Sequence, residues 1–208
     1  SDMLKQDQLT HDSMTSFIEK TNEVIRLLLS NSKRTAQLIT SFKQVATDQT
    51  NEERRVFFLK EYIQNVLVSL GPKIKKTQHH ITLDIPEQLK LDNYPGPFSQ
   101  IITNLVINSL IHGFEDLESG LIQIKAIAED NSLQIIFSDN GSGMTDIQVK
   151  KVFDPFFTSK RGSGGTGLGM NIVYNLVTQL LRGTIVCSSK LGGGTVFQIN
   201  VPLNIDKA

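Results

Sequence analysis

Three stretches of the sequence carry residue types whose spacing suits chemistry. Asn104, Asn108 and His112 recur every four residues in Asn104-Leu-Val-Ile-Asn-Ser-Leu-Ile-His112. On a helix that interval stacks them into one polar stripe on an otherwise apolar element. A lone Asn is ordinarily a satisfied core or cap residue. Two buried carboxamides on one stripe both need partners, and a metal-bound triphosphate would supply them. The second stretch is Ser138-Asp-Asn-Gly-Ser-Gly-Met144, directly after the apolar run 133–137. A carboxylate fixed at the end of a strand can accept a hydrogen bond from an exocyclic amino group, and glycines beside it let a flat ring approach the backbone. Taken alone, D-x-G-x-G is also a common turn.

The third stretch is Gly162-Ser-Gly-Gly-Thr-Gly-Leu-Gly169, in a region (residues 141–194) that holds eleven of the 15 glycines. Gly162, Gly164 and Gly167 satisfy G-x-G-x-x-G literally. The dinucleotide fingerprint, however, needs an apolar strand before it and an acid about 20 positions later. Here Phe153-Asp-Pro-Phe-Phe-Thr-Ser-Lys160 precedes it, and positions 182–189 hold no acid. A P-loop is excluded because no Gly-Lys-Ser/Thr occurs. An amphipathic helix follows, with Met170, Val173, Leu176, Val177 and Leu180 on one face. The loop is therefore either a flexible connection or a set of backbone N–H groups facing a polyphosphate at a helix N-terminus.

These residues need elements to position them. A helix is expected over residues 98–114, with Pro97 in its first turn. Ahead of it, 55–58 reads as extended and 59–70 as an amphipathic helix. Residues 81–85 and 89–91 read as strands bounded by Pro86 and by Pro95-Gly96-Pro97. Two apolar strands, 121–128 and 133–137, flank Glu129-Asp130-Asn131, and two more, 184–188 and 196–201, flank Gly192-Gly193-Gly194. Short turns join neighbouring strands, which predicts an α/β layer with a mixed, largely antiparallel sheet.

Upstream, the texture differs. Met14, Phe17, Ile18, Thr21, Val24, Ile25 and Leu28, then Thr35, Leu38, Ile39, Phe42, Val45 and Ala46, follow helical spacing with no Gly or Pro among them. A helix over 14–46 would be about 50 Å long, more than one core helix of this domain needs. Such a stripe wants a partner helix, and no second long helix is available in the chain, which points to dimerisation or to a helix upstream. The polar run 46–53 ends the periodicity and reads as a linker.

Composition narrows the function classes. Lys and Arg number 21 and Asp and Glu also 21, so the net charge is zero, without the basic surplus that nucleic-acid binding normally shows. The zero is a cancellation: residues 61–138 hold five basic and nine acidic side chains, and 139–208 hold seven and four. The positive surplus lies in the segment with the glycine stretches, where a single polyphosphate would sit. Cys187 is the only cysteine, which rules out an intrachain disulfide framework and a multi-cysteine zinc cage. No apolar run approaches the roughly 18–20 residues of a membrane span.

In this order and spacing, the stretches resemble the ATP-binding catalytic domain of the histidine kinases, within the superfamily shared with gyrase B-type, MutL-type and heat-shock chaperone ATPases. Asn104 to His112 looks like the N box, Asp139 to Gly143 the first glycine box, Phe153 to Phe157 the F box, and Gly165 to Gly169 the second glycine box. The resemblance covers residues of about 55–204. It implies an α+β fold: a dimerisation and phosphotransfer segment (residues 1–50) whose long N-terminal helix is similar to the second helix of such a bundle, then a two-layer α/β sandwich of the Bergerat type (55–204). It further implies ATP and Mg²⁺ as cofactors. Asp139 would recognise the adenine amino group, with Gly141 and Gly143 lining the base pocket. Asn104 would hold Mg²⁺ through its carboxamide oxygen, while Asn108 and His112 approach the phosphates. Gly165, Gly167 and Gly169, with Thr166 and Leu168 between them, would cradle the triphosphate. Phe156 and Phe157 would anchor a lid, and Lys160 would meet the γ-phosphate or lie solvated on that lid.

The superfamily divides at the first N-box position. Hydrolysing members place a Glu there to activate water, whereas this chain has Asn104, and an amide cannot serve as general base. Kinase chemistry is therefore expected over ATP hydrolysis, with homodimerisation through the N-terminal helix, a response-regulator receiver domain as partner, no nucleic acid, and a soluble cytoplasmic setting with no membrane contact in this part of the protein. The acceptor is the weak point. His11-Asp12 is the sole candidate before the linker. It lacks the Pro expected a few residues on and opens the helix that looks like the second of the bundle, so the true acceptor is expected on a preceding helix. His79 and His80 are expected at the surface, on opposite faces of a strand start. Two other readings share the pattern: a module that only dimerises or docks a response regulator, and a serine kinase of the anti-sigma type.

Overall fold

The structure is a computed structural model that describes residues 14–29, 32, 53–75, 77–158 and 167–204. Residues 14–29 are helical, and Met14, Phe17, Ile18, Val24, Ile25 and Leu28 are all exposed on that helix. The expected continuation to residue 46, most of the linker, and His11 lie outside the described residues. The N-terminal segment and the domain that follows are separate compact units.

From residue 53 the element order is β1 (Arg55–Phe58), α1 (Leu59–Ser69), the single turn α2 (Gly71–Ile74), β2 (His80–Asp84), β3 (Lys90–Asn93), α3 (Pro95–Asn108), β4 (Leu121–Glu129), β5 (Ser132–Asp139), α4 (Asp146–Lys151), α5 (Gly169–Asn175), β6 (Thr184–Ser189) and β7 (Thr195–Pro202). Helices α3 and α5 each run on into a π-helical turn, Ser109–Gly113 and Leu176–Leu180. Strands β2-β4-β5-β7-β6 form one sheet, antiparallel except for the parallel pair β2–β4, and β1 pairs with β3 in a small separate ribbon. This is the expected α+β, two-layer arrangement.

Strand periodicity decides which face of the sheet is covered. Leu133, Ile135 and Phe137 of β5 are buried, and the register sets them beside Ala128, Ala126 and Ile124 of β4 and Val201, Ile199 and Phe197 of β7. Most of these residues join one core with α1 (Leu59, Tyr62, Ile63, Val66), α3 (Phe98, Ile101, Ile102, Leu105, Val106) and α5 (Met170, Val173). Helix α3 packs against both α1 and α5, so one apolar layer holds the helix with the polar stripe over the end of the sheet. Each fully buried Leu or Ile in that layer contributes about 1.5–3 kcal/mol.

The local differences from expectation have physical reasons. Helix α3 begins at Pro95 rather than 98 because the first turn leaves its N–H groups unpaired in any case, so Pro95 and Pro97 both fit. Tyr94 before it is extended, as a residue preceding proline prefers, and its N–H donates to Asn93 Oδ1 at 2.8 Å. Helix α4 was not foreseen, yet it carries a full capping box: Gln148 N donates to Thr145 Oγ1 at 3.4 Å and Thr145 N donates to Gln148 Oε1 at 2.8 Å.

His80 is exposed, as expected, but His79 is half-buried. Its ring lies 4.6 Å from that of Phe114, and Gly120 N donates to its Nδ1 at 2.8 Å. An accepting Nδ1 puts the ring proton on Nε2, and a second proton displaces the Gly120 bond. Burial first, and the neighbouring His80 second, lower the His79 pKa from its ordinary 6.5. The unfolded chain therefore takes up the proton first. The stability that neutral His79 contributes is complete above about pH 6.5 and is lost as pH falls from there through the lowered folded value. Urea midpoints measured between about pH 7.5 and 5 should fall more steeply for the native chain than for His79→Asn; parallel profiles would contradict this placement of the ring.

Candidate functional site

The site is built where β5 ends beneath α3. Asp139 closes β5, paired with Ile122 of β4 on one side and Thr195 of β7 on the other. Its Oδ1 accepts the Gly141 N–H at 2.9 Å, and its Oδ2 accepts the Ser109 hydroxyl at 2.7 Å. Ser109 opens the π-helical turn, whose ring is closed by Phe114 N donating to Ser109 O at 2.9 Å.

The glycines after Asp139 are required by approach rather than by flexibility. A Cβ on Gly141 would lie 2.6 Å from Gly113 O and 2.7 Å from Gly113 Cα, so the two chains touch backbone to backbone. Ser142 strengthens that contact: its N–H donates to Gly113 O at 2.8 Å and its Oγ to His112 O at 3.2 Å. Gly143 has φ +67°, and a Cβ there would strike the carbonyl of Lys190. The β6–β7 hairpin holds the far side, with Met144 N donating to Ser189 Oγ at 2.8 Å and Gly192 N to Ser142 O at 2.7 Å.

Between this turn, α3 and the start of α5 opens a cleft of about 520 Å³, within the usual range for small-molecule sites. Asn104, Asn108, His112, Asp139, Gly143, Phe157, Gly167 and Gly169 all line it. Gly141 supports it from below, buried against Gly113. Leu168 sits at the N-cap of α5, and Phe156 is exposed with φ +64°. Lys160, Gly165 and Thr166 lie outside the described residues. The chain on either side of that stretch is joined: Gly167, at φ +67°, packs so close to Phe156 that a Cβ would meet its carbonyl carbon at 2.5 Å. Asn171 Nδ2 donates to Phe153 O at 3.0 Å, and the Phe153 ring packs against Tyr174 and Phe197.

At the inner end of the cleft, Asn104 Nδ2 is buried with no hydrogen-bond partner among the described residues. Its Oδ1 faces Gly169, where an added Cβ would stand 3.5 Å away. A buried amide donor without a partner costs roughly 1–3 kcal/mol, which a ligand accepting from it returns. Behind the site, burial and then the charge of Asp139 push the Cys187 thiol up to about 12, so it stays protonated and unreactive. Sequence reasoning passed over Ser109 and Gly113. The signal for Gly113 was a glycine ending a helical stripe, and for Ser109 a hydroxyl next to Asn108.

The profile of the Histidine kinase-, DNA gyrase B-, and HSP90-like ATPase family matches residues 93–205. The chain belongs to that family. Its folded domain is a histidine kinase ATP-binding catalytic domain. Among curated relatives, Sporulation kinase E of Bacillus subtilis is 29% identical over 180 residues, covering 85% of this chain and 23% of the relative. Sensor histidine kinase RcsC of Escherichia coli is 29% identical over 173 residues, covering 79% and 18%. The chain thus spans roughly a fifth of the length of these relatives. Among solved structures, the catalytic domain of histidine kinase ThkA is 27% identical with a TM-score of 0.64, over 73% of this chain and 97% of that one.

Within this catalytic domain the glycines separate into two kinds. Gly192 also has positive φ (+75°), but no atom of the described residues lies within 4 Å of an added Cβ. Gly192→Ala should therefore cost about 1–2 kcal/mol of backbone strain and leave the cleft intact. Gly141→Ala must push Gly113 away, at about 1–3 kcal/mol, and should also lose nucleotide affinity because Asp139 moves with it. Urea denaturation paired with nucleotide titration of both variants checks this; equal nucleotide affinities would contradict it.

Proposed function

We propose that the domain binds Mg-ATP in the cleft and presents the γ-phosphoryl group to a histidine of a helical dimerisation bundle, for onward transfer to an aspartate of a response-regulator receiver domain. The observation that carries this reading is Asn104: an amide at the inner end of the cleft, with a buried N–H donor that lacks a partner among the described residues. A metal-bound triphosphate supplies acceptors for that donor and a cation for the carboxamide oxygen, so the residues present fit the group. Magnesium, when bound, neutralises charge between phosphate oxygens.

The roles of the chain's own residues follow. Asp139 accepts from the exocyclic amino group of adenine, and Gly141 and Gly143 let the ring lie against backbone. Asn104 orients the metal, and Asn108 and His112, further along the same stripe, contact phosphates. Gly165, Gly167 and Gly169 carry backbone N–H groups around the triphosphate, with Thr166 and Leu168 between them and the α5 N-terminus behind. Phe156 and Phe157 anchor the segment that carries Lys160 towards the γ-phosphate. No carboxylate stands at position 104 to deprotonate a water, so the nucleotide is held for an external nucleophile.

The relatives support the partner assignment. ThkA, 22% identical in that structure, was solved in complex with response regulator protein TrrA, and ShkA, 20% identical, with AMPPNP. The exposed apolar residues of helix 14–29 suit homodimerisation, and the balanced charge gives no reason to add nucleic acid. No described helix is long and apolar enough to cross a membrane. His11, followed by Asp12 but by no nearby proline, is not the proposed acceptor.

Calorimetry should give one bound ATP analogue per chain in the presence of Mg²⁺, and Asp139→Asn should abolish the heat; unchanged affinity in that variant would refute the site assignment. Incubation of this chain with γ-labelled ATP should leave little acid-labile label on it. Label that accumulates and vanishes in His11→Gln would overturn the acceptor assignment and leave the nucleotide site standing.

A further inference from the structure

Serine and threonine hydroxyls inside a helix ordinarily donate to the carbonyl one turn back. Thr21 does so to Phe17 O at 2.7 Å and Thr178 to Tyr174 O at 2.8 Å. Ser109 behaves differently. Only 4% exposed, on the wall of the cleft, it donates across to another element, to Asp139 Oδ2 at 2.7 Å. The residue sits where α3 passes into its π-helical turn, and its own N–H already satisfies the carbonyls of Leu105 and Val106.

The consequence falls on the carboxylate. The terminal torsion of an aspartate is broad and roughly two-fold, so a single donor leaves the plane of its oxygens poorly determined. Here Gly141 N holds Oδ1 from the strand's own turn, and Ser109 holds Oδ2 from the helix opposite. Two donors on opposite oxygens, from two elements, fix that plane. Both oxygens act as acceptors and each keeps a lone pair, so the edge turned to the cleft accepts again. A purine with a 6-amino group satisfies it, whereas a purine with a 6-carbonyl sets oxygen against oxygen.

We propose that Ser109 is a positioning residue that sets the choice of base: its hydroxyl locks the Asp139 carboxylate in the orientation that accepts a 6-amino group and rejects a 6-carbonyl. The inference rests on the proposed nucleotide-binding reading and goes beyond it by naming what makes the carboxylate selective. Without the hydroxyl, the carboxylate turns about its remaining Gly141 bond and the penalty against a carbonyl relaxes.

The test compares Mg-ATP with Mg-ITP, which carries a 6-carbonyl, by calorimetry on the whole 208-residue chain. Ser109→Ala keeps a good helix former at the position, and thermal melting confirms that the variant is folded. ATP affinity should fall about tenfold, the scale of one charge-assisted hydrogen bond, while ITP affinity changes less than about twofold. The ATP-to-ITP ratio therefore collapses, and Ser109→Thr, which returns the hydroxyl, restores it. Equal losses for the two nucleotides would reduce Ser109 to a scaffold residue and overturn the proposal, as would an unchanged ratio. If the native chain binds neither nucleotide, the nucleotide-binding reading fails first. If it binds ATP and Ser109→Ala leaves the ratio intact, only the role of Ser109 fails.

Discussion

Strand β5 ends where two backbones meet with no side chain between them, and the cleft is laid out from that contact. Gly141 lies against Gly113 at a separation that a single methyl group would destroy. Because of it, the carboxylate of Asp139, two residues earlier, comes within hydrogen-bond reach of both the turn below and the helix above. The same contact sets the height of α3 over the sheet, and with it the position of Asn104, Asn108 and His112 along the cleft wall. The apolar layer under α3 supplies the energy that holds the helix down; the glycine contact and the Asp139 bonds fix where along the sheet it rests.

The cleft has two chemically different ends. At one, the Asp139 carboxylate accepts a hydrogen bond on each oxygen and offers further acceptance only. At the other, the buried Nδ2 of Asn104 has no partner among the described residues. A ligand that suits both must donate from one end and accept at the other, as a nucleobase amino group and a phosphate chain do. On the proposed reading, an amide rather than a carboxylate at position 104 separates holding a triphosphate from hydrolysing it, because basicity and not size distinguishes the two side chains. Cys187, with its thiol pushed up to about 12, contributes packing behind Asp139 and no second nucleophile.

Local patterns were legible and distant ones were not. The apolar runs 133–137 and 196–201, each beside a short turn, read as strands, and both fall within β5 and β7, because composition and turn residues are written in consecutive positions. The four-residue repeat of Asn104, Asn108 and His112 put them on one stripe, and the structure brings all three to one cleft with Asp139 and Gly143. The parallel pairing of β2 with β4 joins His80 to Leu121, a separation at which neither strand's composition names its partner. The Ser109–Asp139 bond spans 30 positions, and a hydroxyl between Asn108 and Leu110 carries no mark of its destination. Pro97 read as a first-turn residue, whereas Pro95-Gly96 read only as the boundary of the strand before; the helix takes them into its first turn as well. His79 read as a surface residue because its Phe114 and Gly120 neighbours come from beyond α3.

The central claim is that Asp139 reads the base and Asn104 serves the metal-bound phosphates. A crystal structure of the chain with a non-hydrolysable ATP analogue and Mg²⁺ tests both ends at once. The adenine amino nitrogen should lie within about 3.2 Å of an Asp139 carboxylate oxygen, and the Asn104 carboxamide oxygen should be bound to the metal. An adenine ring seated elsewhere, or a metal with no contact to Asn104, would contradict it.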